Sequence, residues 1–156
     1  MEFIKCYSLS TSEKQEILVL WNNEYPEKLS YNSLEEFDTY LKNLSEQSHI
    51  LLKDKDKNIS GWYFDFMRDN EKWFAIILDS KVHGKGIGTK MLELAKQKEK
   101  ELNGWVIDHN GAKKQNGTPY SSPLNFYLKN GFKKLDNERL ELEKISAVKI
   151  KWKKQY

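Results

Sequence analysis

The hydrophobic positions of this chain follow two periods, one typical of helices and one typical of strands. Apolar residues three or four positions apart are clearest after Ser33, where Leu34, Phe37, Leu41 and Leu44 form one stripe. The same spacing occurs in three other segments, so four helices are predicted. They run from a capping box at Ser12 and Gln15 (or at Ser10 and Glu13) to about Asn23, from Ser33, from Ile87, and from Ser122 with Pro123 in its first turn to Asn130.

Short apolar runs rich in β-branched and aromatic residues predict the strands. They are Phe3–Leu9, His49–Lys53, Ile59–Arg68, Trp73–Leu78, Trp105–Asp108, Phe132–Leu135 and Ser146–Trp152. Short turns at Asp54–Asn58 and Asp69–Asn70 join the second, third and fourth strands, which indicates an antiparallel meander. The charged connection Asp136–Lys144 is expected to be partly extended.

Composition places the chain among folded proteins and excludes several functional classes. Its 156 residues are 38% hydrophobic and 31% charged, which suits one domain over residues 1–156 with a proper core. The net charge of +3 is too small to indicate nucleic-acid binding, although it favours an anionic small ligand. Cys6 is the only cysteine, and no apolar run is long enough for a signal peptide or a membrane span. We therefore expect a cytoplasmic protein that binds neither membrane nor nucleic acid.

A glycine loop between a strand and a helix carries the first functional signal. The strand Trp73–Leu78 leads into His83-Gly84-Lys85-Gly86-Ile87-Gly88-Thr89, and a helix begins inside this loop. Glycines allow the backbone to approach an anion, and the first turn of a helix offers unpaired N–H groups. A phosphate-binding loop is predicted. A nucleotide site is disfavoured because Lys85 and Thr89 do not form the Gly-Lys-Ser/Thr of a Walker loop.

The second signal is Phe126-Tyr127-Leu128-Lys129-Asn130-Gly131-Phe132 near the end of the chain. Together with the glycine loop and the order of the elements, it resembles the GNAT superfamily of acyl-CoA-dependent N-acetyltransferases. The resemblance covers Phe3 to about Trp152 and implies an α/β (α+β) fold. That fold is a mixed, mostly antiparallel central sheet of about seven strands flanked by four helices. The family's loop usually begins with Arg or Gln where this chain has His83, and Tyr120 stands where the family often has Asn.

The resemblance also implies a cosubstrate and the residues that hold it. Acetyl-CoA is expected, with no metal. Its pyrophosphate would lie on Gly84, Gly86 and Gly88 and on the amides of Lys85, Ile87 and Thr89, with His83 donating to phosphate. Its pantetheine arm would pair with the backbone of Ile76, Ile77 and Leu78. Tyr127 is the expected general acid, because a phenol can give its proton to the departing thiolate.

The acceptor and the general base stay open at this stage. The expected acceptor is a primary amine of a small molecule or a peptide, and the candidate bases are Glu24, Asp65, Asp108 and His109. Trp21, Tyr25 and Tyr31 are candidates for an acceptor pocket, and Asn110 is a candidate for the missing Asn or a turn residue. The chain is expected to be a monomer or a homodimer. The alternatives are a module that binds acyl-CoA without transferring it and a nucleic-acid binder that uses Lys113 and Lys114.

Overall fold

A seven-stranded sheet forms the centre of the molecule, with two helices on each face. The computed structural model describes residues 1–156. The strands are β1 Glu2–Cys6, β2 Ser45–Lys53, β3 Ile59–Arg68, β4 Glu71–Leu78, β5 Glu101–Ile107, β6 Lys133–Leu142 and β7 Ile145–Lys153. The helices are α1 Thr11–Glu24, α2 Leu34–Lys42, α3 Ile87–Lys98 and α4 Leu124–Lys129, with short 3-10 turns at Glu27–Leu29 and Ser80–Val82.

The strands lie in the order β1-β2-β3-β4-β5-β7-β6, and every neighbouring pair except β4 and β5 is antiparallel. The predicted fold, with its meander β2–β3–β4, four helices and seven strands, is therefore confirmed. No helix has the length and apolar character needed to cross a bilayer.

Alternation along the central strands gives the sheet two hydrophobic faces. On β3, Trp62 and Phe64 belong to the core under α1 and α2, whereas Tyr63 belongs to the core under α3 and α4. The predicted buried face of α1 is confirmed, since all four of its members are buried: Ile17, Leu18, Leu20 and Trp21. Both faces are thus covered, and any site must use an opening in this arrangement.

Two of the predicted helix starts differ in detail. The first helix is capped by Ser10 and Glu13 and not by Ser12 and Gln15: Glu13 N donates to Ser10 Oγ at 3.1 Å, and Ser10 N donates to Glu13 Oε1 at 2.8 Å. The last helix begins at Leu124, one residue later than predicted, and Pro123 is its N-cap. The Ser122 hydroxyl donates instead to the carbonyl of Ile107 at 2.6 Å, which ties the start of α4 to the end of β5.

Several strand boundaries also differ from those predicted. The first strand ends at Cys6, while β2 and β5 each begin four residues earlier than their apolar runs indicate. The largest difference is β6, which takes in most of the charged connection Asp136–Lys144. It lies at the edge of the sheet and is mostly exposed, so it lacks the apolar pattern of a central strand.

The parallel pair β4 and β5 is joined at one end only. The two strands pair at a single position, Trp73 with Asn103. At this end, Asn103 Nδ2 donates to the carbonyl of Lys72 at 3.1 Å. The carboxylate of Glu71 accepts from Lys149 Nζ and Lys151 Nζ of β7, each at 2.9 Å. Past Trp73 the strands are unpaired, so the sheet opens into a wedge toward Leu78 and Ile107.

A buried histidine links β2 to β3 on the α1 and α2 side. The indole N–H of Trp62 donates to His49 Nδ1 at 3.0 Å, so His49 carries its proton on Nε2 and donates it to Gln47 Oε1 at 2.8 Å. The side chain is 1% exposed. Burial lowers the pKa of His49 from 6.5 to about 4, because the charged form of the ring is poorly solvated in the core.

The fold should therefore lose stability in mild acid through His49. Its folded-state pKa lies below its unfolded value, so the stabilisation is complete above pH 6.5 and is lost as the pH falls toward 4. As the pH falls from 6.5 toward 4, we expect the free energy of unfolding, measured in urea, to decrease by about 1.4 kcal/mol more per pH unit in the wild type than in His49→Phe. His109→Asn, which changes an exposed histidine, should keep the wild-type slope. Equal slopes in the wild type and His49→Phe would contradict this assignment.

Candidate active site

One cleft of about 770 Å³ passes through the wedge and reaches both faces of the sheet. It is lined by Phe74 and Ile76 from the α3 and α4 side and by Trp73 and Ala75 from the α1 and α2 side. Two small residues line the passage, Ala75 on the α1 and α2 side and Gly104 on β5, which lies next to Phe74. A Cβ at Gly104 would lie 3.1 Å from the Phe74 ring. The cleft therefore has lining residues on both faces of the sheet, and the part on each face is called a chamber below.

The glycine loop forms one mouth of the cleft. Gly84 and Gly86 have φ of +74° and +75°, and a Cβ on either would meet no atom within 4 Å. Gly86 is the N-cap of α3. The first amide of the helix that has a backbone partner is that of Lys90, which donates to the carbonyl of Gly86. None of the amides of residues 84–89 donates to a backbone carbonyl. These donors point to an anion at the helix N-terminus.

Gly88 has a different role from the other two glycines. It is buried, and a Cβ there would lie 2.8 Å from the Phe126 ring. The absence of a side chain thus lets α3 pack against α4 beside Tyr127. Ile87 and Thr89 line the cleft with it, whereas Lys85 is exposed and is the one predicted loop residue that does not line the cleft.

The side chain of His83 is hydrogen-bonded to the backbone of its own chain. Its Nε2 donates to the carbonyl of Leu78 at 3.0 Å, which joins the end of β4 to the loop. That carbonyl therefore already has a partner. Of the predicted pantetheine residues, Ile76 and Leu78 belong to the α3 and α4 side, and Ile77 belongs to the α1 and α2 core. All three line the cleft.

Tyr127 lies on α4 and lines the cleft on the same side as the loop. Its ring contacts Phe74, Phe126 and Phe132, with centroids 5.7, 5.1 and 5.5 Å away. Burial raises the pKa of Tyr127 above its ordinary value, and no residue hydrogen-bonds its hydroxyl. The phenol is thus held protonated with a free donor in the cleft.

Of the four candidate bases, Glu24 alone lines the cleft. Its carboxylate accepts from Ser80 Oγ at 2.7 Å, Ser80 N at 3.0 Å and Lys114 Nζ at 3.1 Å. Burial acts to raise the pKa of Glu24, yet these hydrogen bonds hold it below its ordinary value. A carboxylate that already accepts three hydrogen bonds and has a lowered pKa is a weak base.

The other three candidates lie outside the cleft. Asp65 is fully buried and accepts hydrogen bonds from Ser48 at 2.6 Å and Tyr63 at 2.7 Å. Asp108 forms a two-bond ion pair with Arg139, which lowers the pKa of its carboxyl. His109 accepts from Gly111 N in a turn. Asn110 likewise has a turn role, since its Oδ1 accepts from Ser122 N at 2.9 Å.

Aromatic side chains wall the chamber on the α1 and α2 side. The predicted pocket residues line it: Trp21, Tyr25 and Tyr31. Sequence reasoning missed Tyr40, Trp105 and Arg68 as cleft residues, and it treated Tyr120 only as a departure from a motif. Period-two alternation on β3 and β4 indicates the shared face of Phe66 and Trp73, but no local pattern shows that Trp105 and Tyr120 reach the same chamber.

Comparison with known families shows to which family this chain belongs. The family described as Acetyltransferase (GNAT) domain matches residues 46–134, more than half of the chain. The chain belongs to the GNAT acetyltransferases. The match takes in the wedge, the glycine loop and Tyr127, so the predicted family and its enzyme class, an N-acetyltransferase, are confirmed. No curated protein matches this GNAT chain.

Solved structures show the same GNAT fold at low identity. A putative phosphinothricin N-acetyltransferase is 13% identical with a TM-score of 0.72, covering 99% of this chain and 100% of its own. An aminoglycoside 6'-N-acetyltransferase complexed with coenzyme A is 14% identical with a TM-score of 0.70, covering 98% and 97%. A variant of the spermidine N-acetyltransferase from Vibrio cholerae is 17% identical with a TM-score of 0.66, covering 98% and 95%.

The residues of the GNAT cleft suit coenzyme A on grounds of their own. Two left-handed glycines leave open space above the loop, and consecutive amides there lack backbone partners. Lys85 lies within this run and Lys90 follows it; both are exposed and add positive charge to the loop. A pyrophosphate needs donors of this kind, and a long thiol arm needs an opening such as the wedge.

Replacing Gly86 by Asp should abolish coenzyme A binding. The carboxylate would project into the open space beside the free amides and repel phosphate, which should weaken the affinity about 100-fold or more. Calorimetric titration with coenzyme A measures this loss. The matched control is Gly117→Asp, because Gly117 also has a positive φ, +84°, and open surroundings but does not line the cleft. Both variants strain the backbone, so a similar loss of affinity in both would refute the placement of the loop.

Proposed function

We propose that this GNAT protein transfers the acetyl group of acetyl-CoA to a primary amine that has an apolar body. The single observation that carries the proposal is the continuous cleft through the wedge. One chamber has free backbone amides and Tyr127, and the other has aromatic walls. Two different molecules can thus enter from opposite faces and meet at Ala75.

The loop and β4 would hold the cosubstrate. The amides of residues 84–89 would bind the pyrophosphate, and the backbone of Ile76 and Ile77 would pair with the amide-containing arm. When bound, acetyl-CoA supplies an acetyl group activated as a thioester. The carbonyl of Leu78 contributes less to this pairing because it accepts from His83.

Tyr127 would act first as the general acid and then as the general base of the transfer. The lone pair of a neutral amine forms the new C–N bond, the C–S bond breaks, and the sulfur leaves with that electron pair. Tyr127 gives its proton to the sulfur, and the resulting phenolate takes a proton from the acetylated nitrogen. The products are an amide and a free thiol, and Tyr127 is restored. Its raised pKa keeps the phenol protonated before the transfer and makes the phenolate a strong base for the second step.

The chamber for the acceptor favours an apolar amine over a polycation. Glu24 is the only carboxylate that lines the cleft, and Lys114 offsets its charge at 3.1 Å. Spermidine and aminoglycosides, named for two structural relatives, carry several positive charges. A chamber without a free carboxylate has little to hold those charges, whereas its aromatic walls suit a hydrocarbon or aromatic body.

The Tyr127→Phe variant tests the proposed role directly. We expect kcat for acetylation of an aromatic amine such as benzylamine to fall about 100- to 10,000-fold, with unchanged affinity for coenzyme A. Thiol release and calorimetry measure the two quantities. Tyr63→Phe is the matched control: Tyr63 lies in the same core but outside the cleft, and it donates to Asp65. This control should lose stability and keep kcat.

The outcomes separate the enzyme from a silent binding module. Tight coenzyme A binding with no thiol release from any amine would favour the module. An unchanged kcat in Tyr127→Phe would remove Tyr127 from the chemistry. An equal fall of kcat in both variants would assign the effect to packing of the core and not to the phenol.

A further inference from the structure

Arg68 is the cation at the far end of the acceptor chamber. It lies at the end of β3 and lines the cleft with Phe66 and Trp73. Its guanidinium carbon is 4.5 Å from the Trp73 ring centroid and 5.3 Å from the Phe66 ring centroid. Stacking on two aromatic faces fixes the direction of a side chain that is otherwise flexible.

No other residue satisfies the charge of Arg68. Arg68 has neither a carboxylate within 4 Å nor a side-chain hydrogen bond, although the chain's one other arginine and several of its lysines are in ion pairs. Arg139, by contrast, pairs with both Asp108 and Glu141. The five N–H donors of Arg68 are therefore available beside an apolar wall, where a guanidinium binds a carboxylate or phosphate well.

Tyr40 is a second residue of the acceptor chamber with an unused donor. It lines the cleft on the α1 and α2 side, and its hydroxyl has no hydrogen-bond partner. Burial raises the pKa of Tyr40, so the phenol stays protonated. A neutral donor is thus present in the same chamber as Arg68.

The spacing along β4 gives the distance from Arg68 to the proposed site of transfer. The proposed function places the reacting nitrogen beside Ala75, and Trp73, on which Arg68 stacks, is two residues earlier on β4. Two residues of a strand span about 7 Å, and the guanidinium extends a little beyond the Trp73 ring. A ligand group on Arg68 would thus lie roughly 7–10 Å from the reacting nitrogen.

We propose that the acceptor of this enzyme is an elongated amine whose far end carries a carboxylate or similar anion, and that Arg68 binds that anion. This inference rests on the proposed function and names its substrate class. The amine enters the passage at Ala75, the apolar body lies on the aromatic wall, and the anion pairs with Arg68. Arg68 is thereby a determinant of specificity and takes no part in bond making.

The test compares matched amines with and without the anion. An extended chain advances about 1.3 Å per bond, so 6-aminohexanoate and 8-aminooctanoate span the required distance and 4-aminobutyrate is too short. We expect KM for 8-aminooctanoate to be about 10- to 100-fold lower than for octylamine, the range for a hydrogen bond to a charged group. The advantage should disappear for 4-aminobutyrate relative to butylamine.

Variants then locate the anion. Arg68→Gln should raise KM for 8-aminooctanoate by the same factor and leave KM for octylamine and kcat for both amines unchanged. Arg68→Lys should recover part of the lost affinity for 8-aminooctanoate. Lys144→Gln is the matched control, because Lys144 is another cleft cation without an ion pair. Equal KM values for the two amines in the wild type, or a loss that follows Lys144 instead, would overturn the proposal.

A binding measurement keeps this test independent of catalysis. Trp73 and Trp105 lie 5.2 Å apart at the Arg68 end, so tryptophan fluorescence should report a ligand there. If no amine releases thiol, the proposed function fails, and titration with 8-aminooctanoate still decides the anion site. Saturable quenching in the wild type that is lost in Arg68→Gln supports the site. Equal quenching in both proteins, or none in either, removes it.

Discussion

The single paired position between β4 and β5 is the constraint on which the rest of the structure depends. Trp73 and Asn103 hold the two strands at one end, and the double ion pair of Glu71 with Lys149 and Lys151 anchors that end to β7. With no further pairing, the sheet must open. The opening connects its two faces, which carry different helices and different side chains. A closed sheet of the same residues would have two surfaces and no meeting point.

The two faces of the sheet offer different chemical groups to the cleft. On the α3 and α4 face, the backbone provides the donors, and the left-handed Gly84 and Gly86 leave space in front of them. Gly88 instead lets Phe126 approach, which brings Tyr127 toward the loop. On the α1 and α2 face, aromatic side chains form the surface and Arg68 supplies the free charge. In the proposed function, phosphate recognition is thus a property of the main chain, whereas acceptor recognition depends on side chains.

Sequence patterns predicted the fold, the family and the elements that carry the glycine loop and Tyr127. The glycine spacing and the Phe126–Phe132 segment are local, so the loop, α4 and the family could be inferred from them. The strand β6 was predicted at Phe132–Leu135, but its length was underestimated because its later residues are charged and mostly exposed. Arg68, Tyr40 and Trp105 come from three distant segments that only tertiary packing brings together. The engagement of Leu78 by His83 and of Glu24 by Lys114 also had no local signal.

The central claim is that coenzyme A binds in the opening between β4 and β5 with its phosphates on the loop. Hydrogen–deuterium exchange with and without coenzyme A tests this claim directly. We predict slower exchange in peptides that cover residues 84–89 and residues 75–78, with no change at the distant β1 edge of the sheet. Protection confined to other segments, or saturating coenzyme A with unchanged exchange in both regions, would contradict it.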